Sequence, residues 1–309
     1  MDIYSKSGGT PTRLNTDDFC RRAEFLSRSW ERNILNSTAA LYRAIEIGLE
    51  SDVEDPGQAA GDALMGFAVD RGLDTPQFDL LGHAEHLAAI ADFVTYLLRT
   101  GEPWQRPADK NEWVSSAYLN GSRLRRVVLV DRWSDERALA EEHDWRTIGE
   151  CATYDLPMDL FVIILGQQRD GRRHGPISKG FLHSVNDDLR FRKRDGEDFG
   201  PTWVRTFREE SNIGREEWLE AMTHDGVLTE SLIVHPVELP PYASEIRAVL
   251  EAKTSRIQDT HELPEAQLSM CDNALRPCQF RNCCPYFTLP SEDKGFLKLP
   301  PSPIQPIHS

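Results

Sequence analysis

Apolar residues at helical spacing fill most of the first hundred positions. Thr16 with Asp17 and Asp18 forms a cap-and-acid start, and Phe19, Phe25, Leu26 and Trp30 follow near helical intervals. Ala40, Leu41, Ala44, Ile45 and Leu49 repeat the pattern until Asp55-Pro56-Gly57 interrupts it. Ala59, Ala60, Ala63, Leu64, Phe67 and Ala68 make a third stripe, with Gly72 at a C-cap position. A fourth runs through Leu80, Leu81, Ala84, Leu87, Ala88, Ala91 and Val94 towards Gly101. The turn-rich segment 101–107, GEPWQRP, is the first expected boundary.

Beyond it the period changes. Arg126-Val-Val-Leu-Val-Asp131 is a continuous apolar run flanked by charge, which predicts a buried strand. A polar helix is expected from Ser134 to about Thr153, and a second buried strand over Leu160-Phe-Val-Ile-Ile-Leu165. After the turn-forming run Arg169–Pro176, strands are expected near 177–183 and 189–194, then helices over 202–210, 216–223 and 243–258. The Pro-rich segment 290–309 has no core pattern and is expected to be a flexible tail. The pattern predicts an α/β protein: a helical region over 1–100, an α/β core over 101–270, a cysteine-bearing segment over 271–289, and the tail.

Composition narrows the class. Apolar residues make up 39% and charged residues 28%, which excludes wholesale disorder. No apolar run approaches the roughly 18–20 residues needed to span a bilayer. The opening MDIYSKSGGTPTRLNTDDF has no apolar signal core, so a cytoplasmic chain with reduced thiols is expected.

Four of the six cysteines fall in the run CDNALRPCQFRNCC, with spacings Cys271-x6-Cys278 and Cys278-x5-Cys284 and with Cys283 beside the last. Thiolates on short loops converge on one soft centre, and four-sulfur coordination suits zinc or an iron–sulfur cluster. Cys20, followed by Arg21 and Arg22, is the natural fourth ligand, because neighbouring positive charge favours the thiolate. Either Cys283 or Cys284 is a bystander. Cys151 reads as a small buried hydrophobe.

The run Cys278-Gln-Phe-Arg-Asn-Cys-Cys284 resembles the C-P-F-R-D-x-C ending of RecB-like nucleases in the PD-(D/E)XK superfamily. The resemblance is to their iron–sulfur branch, which includes the CRISPR-adaptation exonuclease and AddB-type subunits. There one cysteine on an early helix and three near the C-terminus tie the ends of the domain together. The resemblance implies a restriction-endonuclease-like mixed sheet flanked by helices. It also implies a 4Fe-4S cluster on Cys20, Cys271, Cys278 and Cys284, with zinc as the alternative occupant.

The hydrolytic residues of that family are not carried in its usual strings. A nuclease of this kind holds Mg²⁺ on paired carboxylates, with a Lys two positions after the second. Asp131 stands at the end of the first buried strand, but Trp133 occupies the Lys position. Tyr154 only loosely echoes the family's Gln-x-x-x-Tyr. Glu251-Ala-Lys253-Thr-Ser255 matches the string literally, yet Ile246, Val249, Leu250 and Ile257 around it fall at helical intervals. It is therefore read as a surface helix. His83 and His86, three apart on an apolar helix, lack a third ligand.

Basic residues gather on an otherwise acidic chain. Arg169, Arg172, Arg173, Lys179, Arg190, Arg192, Lys193 and Arg194 face three acids between 169 and 194, a local charge of +5 in a chain of −15. Arg123, Arg125, Arg126 and Arg132 form a second cluster. Such clusters neutralise phosphates, and Phe181, Phe191 and Trp203 are near enough in sequence to stack on unpaired bases. The expected role is binding DNA single strands or ends, without catalysis or with weak catalysis, in DNA processing, repair or defence. The alternatives are an active Mg²⁺-dependent deoxyribonuclease and a zinc-stapled scaffold for protein partners.

Overall fold

The computed structural model describes residues 30–32, 34–74, 80–99, 101–107, 117–130, 133–164, 232–258 and 289–298, together with 22, 25, 26, 262, 264 and 280. Among the described residues there are six helices and two sheets. In chain order the elements are β1 (Trp30–Arg32), α1 (Ser37–Glu50), α2 (Pro56–Arg71), α3 (Leu80–Leu98), β2 (Tyr118–Asn120) and β3 (Arg123–Val130). They continue with α4 (Asp135–Glu142), α5 (Trp145–Tyr154), β4 (Met158–Ile164), β5 (Leu232–Val237), α6 (Ala243–Gln258) and β6 (Phe296–Lys298).

The three helices predicted between 37 and 98 form where their apolar stripes fall. Asn36 caps α1 by accepting from the Ala39 amide, and Asp55 caps α2 ahead of a proline in the first turn. Gly72 ends α2 with a positive φ, as its C-cap position requires. The helices cross closely. A Cβ on Gly48 would stand 2.6 Å from the Pro56 carbonyl oxygen, and one on Gly57 would collide with the buried Asp92 carboxylate.

The larger sheet has the order β2-β3-β4-β5. β2 and β3 form an antiparallel hairpin, β4 runs parallel to β3, and β5 is antiparallel to β4. The β3-to-β4 connection is helical, as a parallel pair demands. Alternate residues of β3 face two cores. Val127 and Leu129 pack with α1–α3, while Leu124, Val128 and Val130 pack with Met158, Leu160, Val162 and Cys151. Both faces are covered, which accounts for the near-continuous apolar run. α6 lies on α5 through Ala152, Ala243, Ile246 and Leu250.

Several details differ from expectation, among them β2, which has no expected counterpart. Trp30 lies in a strand rather than at the end of the first helix; only Arg22, Phe25 and Leu26 are helical there among the described residues. The single helix expected over 134–153 is two, because Asp144 caps a new start by accepting from the Arg146 amide. β5 has no expected counterpart: Pro236 breaks its pattern, yet β5 pairs only with β4 among the described strands, and proline is tolerated on such a strand. The segment expected as a flexible tail contributes β6, which pairs with β1, and Phe296 there is buried. Among the described residues no helix is long and apolar enough to cross a membrane. The strands expected at 177–183 and 189–194 and the helices at 202–210 and 216–223 lie outside the described residues.

Candidate functional site

Cys20, Cys271, Cys278, Cys283 and Cys284 lie outside the described residues, and so do Arg172, Arg173, Lys179, Arg190, Arg192, Lys193, Arg194 and Asp131. The described residues that flank the cysteines are brought together. Arg22, two positions after Cys20, directs Nη1 at the Pro264 carbonyl oxygen at 3.5 Å, the outer limit of a hydrogen bond, across 242 positions of sequence. β1 pairs antiparallel with β6 in the register Trp30↔Lys298 and Arg32↔Phe296. Phe280, two positions after Cys278, is fully buried and stacks on Phe296 with ring centroids 5.4 Å apart.

A second polar site lies on the sheet face that carries the β3–β4 crossover. Arg126 is only 6% exposed. Its Nη1 donates to the Thr147 hydroxyl at 2.8 Å, and its guanidinium stands 3.7 Å from Glu141 and 3.9 Å from Asp144. Arg137 also pairs with Glu141, one turn along α4. A buried guanidinium needs this company, since an isolated charge there would be costly. At the rim of the same face, His235 on β5 meets Trp133 edge-on at 5.6 Å, with its Nε2 3.8 Å from the Glu142 carboxylate. Glu150 on α5 is buried, and the neighbouring Cys151 thiol is pushed up to about 12 by burial, with Glu150 adding to the shift.

The opposite face holds a partly exposed network. Arg106 bridges Glu50 at 2.6 Å and Glu46 at 3.3 Å, while the Tyr118 hydroxyl donates to Glu50 at 2.8 Å. Burial raises the pKa of Tyr118. The Leu129 amide donates to the Tyr42 hydroxyl at 2.7 Å. β2 pairs with β3 only as far as Arg125, so Tyr42 satisfies a strand amide beyond the hairpin.

The second basic cluster is corrected by these contacts. Arg123 pairs with Asp159 at 2.9 Å and with Glu238 at 3.4 Å, Arg125 lies over the Trp104 ring at 4.4 Å, and Arg126 is buried. These three arginines serve the fold and are not a free phosphate surface. Arg132 lies outside the described residues.

Glu251 and Lys253 sit on α6, as the helical intervals predict. Lys253 lies 5.5 Å from the Trp145 ring centroid, and Glu251 is exposed. Of the residues at those intervals, Ile246 and Leu250 are buried and Val249 is exposed. His83 and His86 fall on α3 with side chains outside the described set. Among the described residues no group of three or more His, Cys, Asp or Glu is arranged to hold a metal ion.

Sequence reasoning missed the polar crossover cluster. Its signal was present: strand alternation puts Arg126 on the same face as the apolar Leu124 and Val128, and the segment that follows is rich in Glu and Asp. Searches with this chain match no family model, no curated protein and no solved structure.

Proposed function

We propose that the chain is a DNA-binding protein of the RecB-like, restriction-endonuclease-like kind, with its ends closed by a four-cysteine metal centre. It acts on single strands or ends in DNA processing, repair or defence, without hydrolysis or with weak hydrolysis. The observation that carries this reading is the junction of the chain ends. Arg22 with Pro264, β1 with β6, and Phe280 with Phe296 join the two segments that bear the cysteines. Further support comes from the order of elements after β3, a helical crossover and then a parallel strand, which is the order that follows the catalytic strand in the family. Glu150-x-x-x-Tyr154 on α5 keeps the spacing of the family's Gln-x-x-x-Tyr with a carboxylate in place of the amide. The literal Glu251/Lys253 string belongs to a surface helix, so it offers no strand-edge carboxylate for Mg²⁺.

Phosphate binding falls to the stretch between Arg169 and Arg194. Fluorescently labelled single-stranded DNA, titrated across a salt series, tests this. Wild type is expected to bind with a steep salt dependence and to leave the strand intact in Mg²⁺. Replacing Arg190, Arg192, Lys193 and Arg194 together by Ala is expected to flatten the slope of log affinity against log salt by up to about 3, at roughly 0.7 for each phosphate no longer neutralised. An unchanged slope would contradict the reading, and Mg²⁺-dependent cleavage by wild type would favour the active nuclease.

A further inference from the structure

We draw no further inference here: the strongest candidate, the side-chain cluster of His235, Glu142 and Trp133 at the rim of the crossover face of the larger sheet, carries nothing because it stops at one imidazole and one carboxylate 3.8 Å apart, with no third metal ligand beside them among the described residues.

Discussion

Between α1–α3 and the larger sheet, a continuous cluster joins Leu41, Ile45, Leu49, Leu64, Leu87, Phe93 and Val94 to Val127, Leu129 and Ile163. On the other face a second cluster seats α5 against β3 and β4. At the chain ends, two three-residue strands pair across almost the whole sequence, beside one stacked pair of phenylalanines. The first region encloses many fully buried apolar side chains, whose burial opposes the entropy of ordering them. The second closes a very long loop, so a cross-link between the ends would remove much loop-closure entropy. The difference teaches where the proposed metal staple would be most useful: at the closure between distant segments rather than in the core.

The largest expected effect breaks the packed region through Arg126, the one buried cation among the described residues. Arg126→Ala leaves the buried Glu141 with Arg137 alone and removes the donor from the Thr147 hydroxyl. It should lower global unfolding free energy by about 3–5 kcal/mol in denaturant melts. Phe296→Ala sharpens the contrast. A buried aromatic truncated in this way costs about 3–5 kcal/mol, but the loss should fall on the junction. Hydrogen exchange should accelerate over 30–32 and 296–298 while β3 and β4 keep wild-type protection.

The smallest effect concerns Cys151. Burial raises its pKa from 9.0 to about 12, so the folded state holds the thiol proton more tightly than the unfolded chain. Its contribution is complete below about pH 9 and is lost as pH rises towards 12. Cys151→Ala should cost about 1 kcal/mol at neutral pH and remove this alkaline decline in melting temperature.

The packed region was the more legible one in sequence. The stripes from Ala40 to Val94 mark buried helix faces closely, and the apolar runs at 126–130 and 160–164 are strands. Periodicity reports burial, and those segments are buried. Asp144 was hidden because a cap inside a polar stretch resembles a continuing helix surface. β5 was hidden because Pro236 breaks the strand pattern, a break permitted by its pairing with β4 alone. β6 was hidden because three residues are too few for a period, and its partner lies more than 260 positions away. The arginines at 123, 125 and 126 read as a basic surface because sequence shows their charge but not their partners. The cysteine spacing suggests its chemistry in sequence alone, and the cysteines themselves lie outside the described residues.

The account stands most directly on whether the chain ends share a metal. Anaerobic purification followed by metal analysis and an absorption spectrum, on wild type and on Cys278→Ala, measures this. The account predicts iron in wild type with a broad visible band, and loss of both in the variant. Colourless zinc would keep the staple and remove the cluster. A wild type free of metal, with β1 and β6 still protected from hydrogen exchange, would contradict the central claim.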